Sequence, residues 1–238
     1  MATTLGFRPL YQQVYDLMVT QISDGEYRPG EMLPSEQQLA SQLKVSQGTV
    51  RKALDTMTSE KILERRQGKG TFVSEQTPER STLRFFGFSR PDGKPLTPTN
   101  GEESIRKRKG TAKELRHLDT DGSEEVYEIS RTRLIENKRA IIDKIVVSAK
   151  PFQGLQEQGK IGTALYTLFQ EKYGIHVIST SDEISAIVAS NADAKKIDVE
   201  AGAPLLMIQR STFDIHKKCV EFRITKVNTQ GIIYTARI

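Results

Sequence analysis

The chain has 238 residues, 37% of them hydrophobic and 27% charged, with a formal net charge of +5. That length suits two domains with packed cores, and no apolar run nears the roughly 20 residues that a membrane-crossing helix needs. A lone cysteine, Cys219, excludes an internal disulfide, and three scattered histidines, His117, His176 and His216, offer no clustered zinc ligands. Met1 to Pro9 lacks the apolar core of a signal peptide, so a cytoplasmic protein without membrane contact is expected. No metal and no cofactor are expected.

Charge is unevenly spread. From Met1 to Leu43 two basic residues face five acidic ones, whereas from Lys44 to Val73 seven basic residues face three acidic ones. The positive surface therefore belongs to one short stretch, as in a module that binds nucleic acid.

Pro9 suits the first turn of a helix, where its missing N–H costs nothing. Leu10, Val14, Leu17, Met18 and Ile22 follow at helical spacing, and Gly25 ends the run. After the turn at Arg28-Pro29-Gly30, Pro34-Ser35-Glu36-Gln37-Gln38 opens a second helix with Ser35 and Gln38 spaced as a capping box. Leu39, Ala40 and Leu43 form its inner face. Lys44-Val45 is a tight connection, and Ser46 is the N-cap of a third helix with Val50, Ala53, Leu54 and Met57 inward. Gln47, Gly48, Thr49, Arg51 and Lys52 lie on the outer face of its first turns. Two short helices joined this closely follow the helix-turn-helix plan, whose second member reads base edges in the major groove. Gln and Arg pair bidentately with adenine and guanine, while Thr49 and Lys52 suit phosphates. Ile62 to Arg66 and Thr71 to Val73 then form a hairpin around Gln67-Gly68-Lys69-Gly70, a glycine-rich basic tip suited to the minor groove or its phosphates.

The run Pro34-Ser35-Glu36, Val45-Ser46, Thr49-Val50-Arg51-Lys52-Ala53-Leu54 and Arg66-Gln67-Gly68-Lys69-Gly70-Thr71-Phe72-Val73 resembles the GntR family of bacterial regulators over Leu10 to Val73. Two positions depart from that family, which usually has Arg where Gln37 stands and Arg or a similar residue where Gln47 stands. The resemblance implies double-stranded operator DNA as partner and Ser35, Gln37, Ser46, Gln47, Gly48, Thr49, Arg51, Lys52, Arg66, Gln67, Gly68, Lys69 and Gly70 as its contacts.

Residues 74–82 are polar and aperiodic and are expected to be a linker. Phe85-Phe86-Gly87-Phe88 favours core or interface over a ligand box. Pro91 to Glu103 is expected to be a loop, and Arg106-Lys107-Arg108-Lys109 a solvated edge rather than a DNA contact. Val126 to Ile135 alternates as a strand, Asn137-Lys138 turns, and Ala140 to Val147 returns. Gly162 to Tyr173 is an amphipathic helix with Leu165, Leu168 and Phe169 inward. Ser181 to Ala189 is a strand, Asn191 to Ile197 a short helix, and Pro204 to Ile215 with Val220 to Val227 a closing hairpin. Hairpins outnumber crossovers, so the fold class is α+β, a winged helix-turn-helix over 1–73 joined to a mostly antiparallel sheet domain with helices over 83–238. Arg131 and Arg133, two apart on a strand, share one face and suit a carboxylate or phosphate, or else a bridge to Glu128 or Asp143.

This second segment resembles the UTRA effector-binding domain of HutC-type GntR regulators, which has a chorismate-lyase-like fold. Arg131-Thr132-Arg133-Leu134, Asp143, Ala164-Leu165-Tyr166, Gly202-Ala203-Pro204-Leu205-Leu206 and Val220-Glu221 carry the likeness. It implies a homodimer and an effector pocket lined by Arg131, Arg133, Asp143, Ala164, Tyr166 and Glu221. The arginines would hold an anionic group, Tyr166 would cover it, and Asp143 and Glu221 would accept from hydroxyls or amines. The reading is a repressor released from its operator by a small anionic metabolite, a phosphosugar or a carboxylate. The alternatives are a constitutive DNA-binding protein with a structural dimer domain and an enzyme. Against the enzyme, no nucleophile stands beside a base.

Overall fold

A computed structural model describes residues 8–120 and 124–235, so the Met1 to Pro9 reading falls largely outside the described residues. Three helices come first: α1 (Leu10–Ser23), α2 (Glu36–Leu43) and α3 (Gln47–Ser59). Ser35 caps α2 in a reciprocal box with Gln38, and Ser46 caps α3 by accepting from the Thr49 N–H. Lys44 adopts a left-handed backbone that turns the chain tightly between them. Val50, Ala53, Leu54 and Met57 are all buried against Val14, Met18 and Ile22. Of the helically spaced run, Leu10 and Leu17 are exposed. The core-facing arc of α1 runs through Tyr11, Met18, Ile22 and Val19, and both leucines fall just outside it. Strands β1 (Leu63–Arg66) and β2 (Gly70–Val73) form the expected antiparallel hairpin.

The expected linker is half helix. Helix α4 (Pro78–Phe85) begins inside it, with Thr77 Oγ1 accepting from the Arg80 N–H and Pro78 at the first helical position. The preceding residues are pinned rather than free. Buried Gln76 donates through its backbone N–H to Gln170 Oε1 (2.8 Å) and through its side chain to the Val177 carbonyl (3.1 Å).

Beyond lie β3 (Phe88–Ser89), β4 (Thr99–Lys109), α5 (Ala112–His117), β5 (Glu125–Ile135), β6 (Lys138–Ser148), α6 (Leu165–Tyr173), β7 (Val177–Val188), α7 (Asn191–Ile197), β8 (Pro204–Asp214), β9 (Cys219–Val227) and β10 (Ile233–Tyr234). The expected loop over Pro91 to Glu103 is therefore shorter, because β4 starts at Thr99 and bulges between Asn100 and Glu103 to keep its pairing with β5. Six strands form one antiparallel sheet in the order β4-β5-β6-β9-β8-β7. The last hairpin does not close an edge, since β9 enters the middle of the sheet beside β6. Helix α6 covers one face through Leu165, Tyr166 and Phe169, while Leu115 and Leu118 pack with Val146 and Phe222 on another cluster. The basic run of β4 is paired: Arg106 and Arg108 meet Glu128, Arg108 also meets Glu114, and Lys107 meets Glu125.

The two halves touch. Ile178 and Ile215 join the core of the three-helix unit. The β8–β9 turn reaches across it, with Lys217 Nζ 3.0 Å from Glu60 Oε1 and His216 Nε2 2.8 Å from Ser23 Oγ. Arg80 of α4 pairs with Glu64 of β1 at 2.7 Å.

Candidate functional site

Two places gather the residues singled out in the sequence. The first is the outer surface of α3 and its hairpin. Gln47, Gly48, Arg51 and Lys52 are exposed at the start of α3, Gln37 at the start of α2, and Gln67, Gly68, Lys69 and Gly70 at the hairpin tip. Gly68 and Gly70 hold φ values of +71° and +124°, and a Cβ on Gly70 would stand 3.2 Å from Met32 Sδ, so both conditions select glycine there. Several expected contacts already have partners within the chain. Ser35 and Ser46 are engaged as caps, and the Ser46 and Thr49 hydroxyls lie 2.8 Å apart. Lys52 Nζ stands over the Tyr11 ring at 4.1 Å, and the Arg66 guanidinium over Phe72 at 4.2 Å. Arg51 donates through Nε to Glu36 Oε2 at 2.8 Å.

The second place is a pocket on the α6 side of the sheet, lined by Ser81, Phe85, Phe86, Arg131, Arg133, Thr163, Leu165, Tyr166, Arg210 and Arg223. Antiparallel register builds it. Arg131 lies opposite Asp143, Asp143 opposite Thr225, and Arg210 opposite Arg223. Two arginines directly opposite repel each other, and carboxylates offset them. Asp182 takes Arg210 in a two-pronged pair at 2.7 Å, and Glu221 Oε1 takes Arg223 Nε at 2.5 Å. Arg210 Nη1 also donates to the Phe85 carbonyl (2.6 Å), so each of its three nitrogens has a partner.

Of the six expected pocket residues, Arg131, Arg133 and Tyr166 line the pocket, while Asp143, Ala164 and Glu221 are not in its lining. Asp143 is buried behind the arginines. Its Oδ2 accepts from Arg131 Nε (2.9 Å) and its Oδ1 from Thr225 (2.7 Å), so no lone oxygen is turned toward a ligand. The neighbouring cations hold its carboxyl well below the usual range despite burial. Ala164 is the N-cap residue just before α6, between the lining residues Thr163 and Leu165. Glu221 is fully buried beside Arg223, and its Oε2 has no partner. Phe85 and Phe86 line the pocket, with Arg133 over the Phe86 ring at 5.0 Å, so the aromatic cluster serves the site as well as the core.

Arg133 stands out. It is 6% exposed, its nearest carboxylate, Asp143, is 4.0 Å away, and its Nε has no partner. Burial, together with Arg131 and Arg223, pushes its guanidinium down to about 9. The usual remedy for a buried cation is a close counter-ion, and here the open side of the cation faces the pocket. Arg210 and Arg223 escaped sequence reasoning, because their register opposite each other depends on β9 entering mid-sheet. Cys219 is a buried strand residue whose thiol is pushed up by burial, which suits packing rather than reactivity. Among the described residues no group of His, Cys, Asp or Glu is placed to hold a metal, and no helix is long and apolar enough to cross a membrane.

Comparison with known proteins gives the chain its context. Residues 10–73 match the model of bacterial regulatory proteins of the gntR family, and residues 96–230 match that of the UTRA domain. The chain is 30% identical over 211 residues to a probable fructoselysine utilization operon transcriptional repressor of Escherichia coli K12, covering 89% of this chain and 87% of that one. It is 27% identical over 208 residues to the transcriptional repressor NagR of Bacillus subtilis, covering 86% and 84%. Its fold is shared with PhnF from Mycobacterium smegmatis at a TM-score of 0.57 and 20% identity, over 96% of this chain and 98% of that one.

Proposed function

Because the chain belongs to the GntR family of bacterial regulatory proteins, in the branch that carries a UTRA domain, we propose that it is a homodimeric repressor released from its operator by a small anionic metabolite. The family and its relatives are DNA-binding regulators and not enzymes, and the relatives are named as repressors. In this reading residues 1–73 bind DNA, 74–82 connect, and 83–238 bind the effector and dimerise, in the cytoplasm where the DNA is. Two copies would hold half-sites about one helical turn apart. The exposed Ile184 and Val188 on the edge strand β7 give a second copy an apolar surface to use.

The observation that carries the effector reading is Arg133, a buried guanidinium short of negative charge and open to a pocket beside Arg131 and Arg223. A phosphate or carboxylate would accept from their free N–H groups, and Tyr166, Phe85 and Phe86 would wall it. Phosphosugars and sugar conjugates that carry a carboxylate are the first compounds to try, since the pocket offers guanidinium groups and the E. coli relative is named for fructoselysine utilization. An effector that binds one domain arrangement better than the other shifts the pair away from operator spacing.

The test is thermal melting of the full chain against inorganic phosphate, sugar phosphates and small carboxylates. A ligand at 100 times its Kd stabilises the folded state by about 2.7 kcal/mol. The expected result is a hit that also releases DNA and is lost in Arg133→Ala, with DNA binding kept. A chain that binds DNA but answers to no anion would instead take a neutral effector or be a constitutive binder with a structural dimer domain.

A further inference from the structure

Glu36 sits where a DNA-facing surface least tolerates negative charge. It is the first residue of α2, next to Gln37, and only partly exposed. An acid in the first turn of a helix is favoured by the helix dipole, but a capping box already satisfies this end of α2. The side chain instead reaches two other elements. Its Oε2 accepts from Arg51 Nε on α3 at 2.8 Å, and its Oε1 accepts from Arg65 Nη2 on β1 at 3.1 Å. Asp55 of α3 holds the same Arg65 Nη2 at 2.7 Å. One carboxylate therefore ties the start of α2, the first turns of α3 and the tip half of the hairpin.

We propose that Glu36 is a positioning residue for sequence readout, holding Arg51 so that only its Nη1/Nη2 edge meets a guanine. This rests on the regulator reading above. An arginine has two donor edges able to grip guanine O6 and N7, one through Nε and one through the Nη pair. Glu36 occupies the Nε edge, and Nη1 and Nη2 make no hydrogen bond among the described residues. Arg51 is otherwise more than half exposed. Fixing so flexible a side chain before DNA arrives removes part of the ordering cost from binding. The same carboxylate repels every phosphate alike, so it lowers affinity for DNA in general while sharpening the choice of sequence. Gln37 and Gln47, neutral and flanking, leave Arg51 the one guanidinium at this edge of α2 and α3.

The experiment uses the full chain. A random duplex pool is enriched on the wild type, and affinity is then measured for the enriched duplex and for its shuffled sequence at one salt concentration. Glu36→Gln is expected to bind the shuffled duplex more tightly, while the ratio of enriched to shuffled affinity falls roughly tenfold. Adding Arg51→Ala to Glu36→Gln should lower that ratio no further than Arg51→Ala alone. A merely structural role would lower the melting temperature and leave the ratio in place, and an unchanged ratio overturns the proposal. If Glu36→Gln does not fold, the wild type decides. Replacing single guanines by 7-deazaguanine should weaken binding at one guanine per half-site, an effect absent from Arg51→Ala, and its absence from the wild type also overturns the proposal. A wild type that enriches no sequence overturns the operator reading itself, a failure distinct from an altered ratio.

Discussion

Protonation of His176 would cost this fold a bond it cannot replace. The ring is buried, and its Nδ1 receives the Gln170 side-chain amide at 3.1 Å. The same amide donates to the Ser74 carbonyl at 3.3 Å, and Gln170 Oε1 accepts from the Gln76 N–H. An imidazolium has no lone pair to accept with. Burial pushes the imidazole down to about 4, with His216 adding to the shift, against about 6.5 in the unfolded chain. Between those values the unfolded chain binds more protons, so stability is complete above pH ~6.5 and drains as pH falls toward 4. Urea unfolding should show about 2 kcal/mol less stability at pH 5 than at pH 7.5 from this group. His176→Gln should remove that part of the slope, and an identical slope in the variant would show that other groups carry it. At the other site, Arg51→Ala should weaken operator binding by about 1–3 kcal/mol, as expected for one bidentate base contact. Competition titration against the enriched duplex measures this, and unchanged binding removes Arg51 from the readout.

At the scale of elements, the hairpin should act differently from α3. Lys69 is exposed between two glycines at its tip, and no carboxylate meets it among the described residues. Lys69→Ala should weaken every duplex alike and flatten the slope of log affinity against log salt by about one unit. A loss confined to one sequence would mean base readout. The local signals of this half were legible because they are chemical and short-ranged. Ser35 with Gln38, Ser46 before Thr49, and the glycine pair at 68 and 70 each determine their own turn, whatever the rest of the chain does. The start of α4 was equally local, in Thr77-Pro78, but its polar surface hides the pattern. The anchors of the preceding residues, Gln170 and Val177, lie roughly a hundred positions away in the chain. The pocket was half legible. Strand alternation put Arg131 and Arg133 on one face, but which strands lie beside β5 and β8 is a matter of long-range pairing. Arg210 and Arg223 therefore emerge only once β9 is set between β6 and β8.

Two ion-paired routes tie the pocket to the DNA-binding half. Helix α4 lines the pocket with Ser81 and Phe85 and holds Glu64 of the β1–β2 hairpin through Arg80. The β8–β9 hairpin lines it with Arg210 and Arg223, and its turn holds the end of α3 through Lys217 and Glu60. A ligand that shifts either element would move a contact on the other half, and coupling of this kind is worth typically 5–150-fold in affinity. Both ion pairs are solvent-accessible, with Arg80 and Lys217 side chains 47% and 65% exposed, so removing them costs little stability. The double variant Arg80→Ala, Lys217→Ala should therefore fold, bind the anion selected by melting, and bind operator DNA. What it should lose is communication, with operator affinity nearly the same with and without saturating anion. Fluorescence anisotropy of a labelled operator duplex under both conditions reads this directly. A ratio equal to that of the wild type would mean that the signal passes instead through the apolar contact of Ile178 and Ile215 with the helical core.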